Sequence, residues 1–176
     1  MVRLRRNLAS EFEIKDLGSL KYFHGIEIAR LKKGISVSQQ KYVLDLLQET
    51  GMSGCRPADT PMDPNSKLWE KGDTPVDTGR YQRLVGKLVY LAHTRPDIAF
   101  PVSVVSQFMH APYEEHLDAV YRILRYLKAA PRKGLLFGKT NDRNVAIFTD
   151  DWAGSITDRK STSGYCTYVW GNLVTW

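Results

Sequence analysis

Apolar side chains at Tyr81, Leu84, Val85, Leu88 and Leu91 recur three and four residues apart, the spacing that lines one face of an α-helix. A stripe of that width needs other apolar surface to pack on. A second stripe, Leu117, Val120, Tyr121, Leu124 and Leu127, predicts a helix over about 113–129. Its acids (Glu114, Glu115, Asp118) come first and its bases (Arg122, Arg125, Lys128) last, which suits the helix dipole, and Pro131 ends it. A third helix is predicted over 39–50, with Tyr42, Val43, Leu46 and Leu47 inward, Ser38 as cap and Gly51 as stop. Thr78 is the expected cap of the helix over 79–93. After Thr94-Arg95-Pro96, residues 97–110 read as helical except for Pro101, which in a helix interior costs about 3 kcal/mol or more.

Strand patterns flank this helical middle. Residues 20–29 and 35–38 alternate around Lys32-Lys33-Gly34, a hairpin signal. Residues 56–79 hold four prolines and read as an irregular linker. From Gly134 the pattern returns to strands, at 135–137, 145–148, 164–170 and 173–176. The fold class is therefore α+β: a β-hairpin, a helical bundle, then the start of an antiparallel sheet. Hydrophobic residues are 43% of the 176 and charged residues 25%, enough to bury a core. No run approaches the ~20 apolar residues of a membrane span, so no membrane partner is expected. The Arg-rich start is short, runs into Glu11 and Glu13, and reads as part of a helix rather than a targeting signal. Cys55 and Cys166 are too far apart for a disulfide scaffold or a C-x-x-C site. An intracellular location, cytoplasmic or nuclear, is the expectation. The apolar, strand-like run 171–176 suggests a piece of something longer, with an exposed apolar edge near 169–176 that invites aggregation.

The net charge of +6 favours an anionic partner, nucleic acid first. Asp150 and Asp151 follow an apolar strand and are the only adjacent acids that resemble a catalytic pair; the alternative is that they open a turn. Two Mg²⁺ ions about 4 Å apart require roughly three or four carboxylates, and Asp158 is the only acid after Asp151. His110 and His116 lack partners at ligand spacing, and there is no G-x-x-x-x-G-K-[ST], G-x-S-x-G or H-E-x-x-H motif. On the 79–93 helix, Gln82, Gly86 and Tyr90 fall four apart, away from the core stripe, with Arg83 and Lys87 beside them. A glycine inside a helix costs about 1 kcal/mol relative to alanine, so something needs close approach at Gly86. That is either a duplex minor groove, with cations meeting phosphates, or a neighbouring helix. Arg122-Ile123-Leu124-Arg125 matches the R-x-L-R pattern of secreted effectors, but Leu124 sits on a core stripe and the match is read as chance.

Glu11 to Gly18 through Tyr22-Phe23-His24-Gly25-Ile26-Glu27 resembles the copia-type retrotransposon reverse transcriptase. So do Ser38 to Tyr42, Thr60-Pro61-Met62, Leu84-Val85-Gly86-Lys87-Leu88, Thr94 to Ile98, Arg122 to Lys128 and Ser161 to Tyr165, in order along the whole chain. The resemblance implies that residues 1–37 are the end of a palm, with Phe23, His24 and Gly25 in a primer-grip-like hairpin. It implies that 38–143 are thumb and connection, and 144–176 the first strands of a truncated RNase H-like sheet. Gln82, Gly86 and Tyr90 are similar to a thumb's minor-groove track. The implied partners are an RNA–DNA hybrid or DNA duplex and the rest of a Pol polyprotein. Mg²⁺ is the parent family's cofactor; none is expected on this chain.

Two departures stand out. The family's Y-x-D-D motif does not occur in this sequence, and Phe148-Thr149-Asp150-Asp151-Trp152 is one residue shorter than the family's Phe-Thr-Asp-Ala-Asp-Trp. A one-residue change flips the strand faces that follow, so Asp150 is expected to be a vestigial RNase H acid. The expectation is a catalytically inactive fragment that retains template–primer binding. The alternatives are a domesticated or effector-like interaction protein, or a relic without function.

Overall fold

The computed structural model describes residues 2–12, 20–64, 66, 68, 72, 74–152 and 162–176. Helix α1 (Val2–Glu11) precedes a four-stranded antiparallel sheet of β1 (Tyr22–Phe23), β2 (Ile26–Leu31), β3 (Gly34–Ser38) and β4 (Leu135–Gly138), in the order β1-β2-β3-β4. The β1–β2 connection is the two residues His24 and Gly25, with φ of 48° and 82°. Positive φ at both positions makes a turn whose twist matches the strands, and glycine adopts it without strain. The last strand of this sheet comes from far along the chain: Ile35 pairs with Phe137 and Val37 with Leu135. The hairpin sheet is thus closed by a segment that follows the helices.

Between β3 and β4 lie α2 (Gln40–Glu49), α3 (Thr78–Ala92), a 3-10 turn (Pro96–Ile98), α4 (Ala99–Ser106) and α5 (Glu114–Ala129). The predicted core stripe of α3 is buried in full. It packs with Val43, Leu46 and Leu47 of α2, Val102 and Val105 of α4, and Val120, Leu124 and Leu127 of α5. On α5 the buried face is turned slightly from the expected one: Ile123 and His116 are buried, while Leu117 and Tyr121 lie at its margin. His116 is a structural residue. Its Nδ1 accepts from the Tyr113 amide at 2.9 Å, its Nε2 donates to Leu68 O at 2.8 Å, and its ring stacks on Phe108 at 3.9 Å.

Three local expectations are corrected. Thr78 is the first residue of α3, and Asp77 caps it by accepting from the Arg80 amide. Ser38 belongs to β3, and Gln39 at the start of α2 makes no side-chain cap; instead Glu27 of β2 reaches across and accepts from the Lys41 amide at 2.8 Å. Pro101 is no defect, because it is the third residue of α4, just after the 3-10 turn. Nitrogens in a first helical turn need no carbonyl from within the helix, and its ring is buried.

Thr94-Arg95-Pro96-Asp97 is a buried polar junction rather than a simple restart. Arg95, 1% exposed, meets both carboxylate oxygens of Asp97 at 2.9 Å, and its third nitrogen donates to Ala130 O at 2.9 Å. Tyr126 donates to the same carboxylate at 2.8 Å, and Lys133 lies 3.0 Å from it. Thr94 donates to the buried Gln39 amide oxygen at 2.7 Å. One junction so ties the ends of α3 and α5 to the start of α2.

A second antiparallel sheet holds β5 (Val145–Trp152), β6 (Thr162–Val169) and β7 (Asn172–Thr175). Strand β7 is held by its ends. The Asn172 side chain accepts from Gly138 N at 2.6 Å and donates to Gly138 O at 3.3 Å, and Trp176 Nε1 donates to Ala92 O at 2.9 Å. The apolar edge expected at 169–176 is therefore partly covered. Val174 and Trp170 stay exposed, as do Val145, Ile147 and Phe148 on β5.

Candidate nucleic-acid interface

The turn at His24-Gly25 sets the first part of the site. It aims Phe23 outward, 56% exposed, with its ring edge-on to His24 at 4.3 Å. On the other side the turn rests on two tyrosines. Tyr42 Cδ2 lies 3.5 Å from where a Cβ on Gly25 would stand. Tyr90 donates its hydroxyl to His24 O and packs edge-on against Tyr42 at 5.4 Å. Burial, and then the neighbouring Tyr90 and Glu49, push the Tyr42 phenol above its ordinary pKa.

Helix α3 supplies the second part. Tyr90, Gly86 and Gln82 follow one another by single turns along the side of α3 away from its core stripe. Gly86 is exposed, and a Cβ there would meet nothing within 4 Å. Among the described residues no neighbouring helix meets Gly86. Gln82 is exposed and donates to Met109 O at 3.0 Å. Arg83 is exposed, and Lys87 is half-buried and ion-paired with Glu49 of α2. Phe23, His24, Gly25 and Tyr90 are therefore brought together, and Gly86, Lys87, Arg83 and Gln82 continue from them along α3.

One expectation shifts. The Tyr90 hydroxyl is engaged by the hairpin, so this side chain docks the turn as well as bordering the outer face. Sequence reasoning missed Tyr42 and Glu49 because both sit on α2, where Tyr42 was read only as core. The signal was present: the α2 stripe carries a tyrosine at its solvent margin, and Glu49 is placed to meet a cation.

Asp150 and Asp151 lie elsewhere, at consecutive positions of β5 opposite Gly164 and Ser163. They stand inside the strand, not at a turn. Among the described residues no group of three His, Cys, Asp or Glu converges on a metal position. The Arg122–Arg125 segment is likewise structural: Leu124 is buried, and Arg122 donates to Thr60 Oγ1 at 2.9 Å. Among the described residues no helix is long and apolar enough to cross a membrane.

The class of protein follows from comparison. The reverse transcriptase (RNA-dependent DNA polymerase) family matches residues 1–64. The retrovirus-related Pol polyproteins from transposons RE1 and RE2 of Arabidopsis thaliana are 45% and 40% identical over 97% and 96% of this chain. An uncharacterized mitochondrial protein of Arabidopsis thaliana is 40% identical over 96% of this chain and 71% of its own length. This chain belongs to the copia-type retrotransposon Pol polyprotein family. It spans 12% of the length of the RE1 and RE2 polyproteins. No solved structure matches it.

Proposed function

We propose that this chain is the duplex-holding part of a copia-type reverse transcriptase. In this reading residues 1–37 are the end of the palm, 38–143 the thumb and connection, and 144–176 the opening strands of an RNase H-like sheet. The partner is an RNA–DNA hybrid or DNA duplex, and the rest of the Pol polyprotein completes the assembly. Phe23, His24 and Gly25 meet the primer end. Gln82, Gly86 and Tyr90 follow the minor groove, with Arg83 and Lys87 on its phosphates.

The observation that carries this reading is Gly86. It is an exposed helix-interior glycine facing open space, in line with a hairpin tip docked one helical turn away. Nothing among the described residues uses the clearance, and a nucleic-acid backbone is a partner that does. The charge balance of +6 supplies long-range attraction to it. The chemistry is holding rather than turnover: the polymerase Y-x-D-D motif is not in this sequence. Asp150 is a vestige of an RNase H acid, Asp151 stands beside it on the strand, and Mg²⁺ belongs to the parent enzyme's reaction.

The test is a titration of a labelled RNA–DNA hybrid into the purified chain with Mg²⁺ present. Anisotropy reads binding and a denaturing gel reads cleavage. Binding without cleavage is expected. Failure to bind, or Mg²⁺-dependent cleavage that Asp150→Ala abolishes, would overturn the proposal.

A further inference from the structure

A second cationic surface lies away from α3, where the two sheets meet. The connection between β6 and β7 is Trp170-Gly171, with φ of 54° and 72°. Positive φ at both positions is what a two-residue hairpin turn requires, and here the first of them is a tryptophan. Trp170 is 45% exposed, and the Arg143 guanidinium sits over its ring at 4.9 Å. Its amide donates to Asn144 O at 2.9 Å.

Three lysines share this place. Lys139 donates its amide to Lys33 O at 2.9 Å, so the Lys32-Lys33 turn and the end of β4 are neighbours. Asn172 joins that end to the tryptophan turn, pairing with Gly138 on one side and donating to Trp170 O at 3.1 Å on the other. Lys32, Lys33 and Lys139 are all exposed. The acid of this stretch, Asp142, accepts from the Asn144 amide at 2.9 Å.

We infer that Trp170, Arg143 and Lys32, Lys33 and Lys139 form a binding surface for single-stranded nucleic acid, with a base stacked on the indole and phosphates on the lysines. A flat aromatic ring among cations suits an unpaired strand, because every base has a face to stack and every nucleotide a charge. A duplex offers phosphates to the lysines but no free base to the ring. An acidic protein segment would use the lysines alone. The inference goes beyond the duplex reading of α3 and is independent of it.

The test uses an oligo-thymidylate probe of about twenty nucleotides, long enough to span several stacking positions. Trp170→Asn keeps a residue that tolerates positive φ and removes the ring. It is expected to weaken binding about tenfold. Lys32→Glu with Lys33→Glu and Lys139→Glu is expected to lower the salt slope by about two. Unchanged probe binding in the Trp170 and lysine variants, with native melting curves, would overturn the inference. So would poly-glutamate competing as strongly as the oligonucleotide, which would mark a merely anionic preference.

Discussion

The Tyr90 hydroxyl donates to the backbone carbonyl of His24, 66 residues earlier in the chain. This single bond fixes the hairpin tip against α3. A neutral hydrogen bond of this kind contributes about 0.5–1.5 kcal/mol. Tyr90→Phe keeps the ring contact with Tyr42 and removes the bond. Amide hydrogen exchange at residues 22–28 is expected to speed up about tenfold, with α5 unaffected. Equal exchange in both proteins would mean that the turn is held by packing alone.

Gly86 separates intrinsic helix stability from clearance. A Cβ at this position meets open space, so Gly86→Ala is expected to raise stability by about 0.5–1 kcal/mol in urea unfolding. Gly86→Leu also leaves the fold intact but fills the clearance, and hybrid affinity is expected to fall at least tenfold. A Gly86→Leu variant that folds and binds like the parent protein would remove the reason for a glycine here.

The Arg95–Asp97 pair sets the acid limit of the fold. Burial alone would raise the Asp97 pKa, but hydrogen bonds from Arg95, Tyr126 and Lys133, and the Arg95 charge, hold it well below the ordinary carboxylate range. A depressed carboxyl contributes stability that is complete above its unfolded pKa of about 4 and is lost as pH falls toward the folded value. Asp97→Asn is therefore expected to flatten the stability profile below about pH 4 while lowering stability at pH 7. Arg95→Met leaves the carboxylate to Tyr126 and Lys133 alone and is expected to cost about 1.5–3 kcal/mol at neutral pH. Urea titrations across the acid range check both.

Pro101 tests the helix start. A proline inside a helix would be relieved by about 3 kcal/mol on replacement. In the first turn of α4 no such relief is available, and Pro101→Ala is expected to stay within about 1 kcal/mol of the parent. A large gain in melting temperature would show that α4 extends further back than Ala99.

Where periodicity is strong the sequence was informative. The α3 stripe is buried as its spacing predicts, because one apolar face has one way to leave water. The β2–β3 hairpin was legible from alternation, but the turn that splits 20–29 into β1 and β2 was not, nor was the fourth strand. The pairing of Ile35 with Phe137 spans the whole helical middle and leaves no local pattern. The Arg95 junction was missed for a similar reason: a charged residue in a turn reads as solvated until Asp97, Tyr126 and Ala130 converge on it. In the candidate site Gln82, Gly86 and Tyr90 were legible as a stripe. Their link to His24 was not, since a side chain meeting a distant backbone carbonyl has no sequence signature.

The salt dependence of hybrid binding tests the central claim most directly. Each phosphate contact contributes a slope of about 0.9 in log affinity against log salt. The parent chain is expected to lose affinity linearly as salt rises. Arg83→Ala with Lys87→Ala is expected to lower that slope by about two, with melting shifted little because surface pairs such as Lys87–Glu49 contribute under about 1 kcal/mol. Hybrid binding that ignores ionic strength, or a slope the double variant leaves unchanged, would contradict the account.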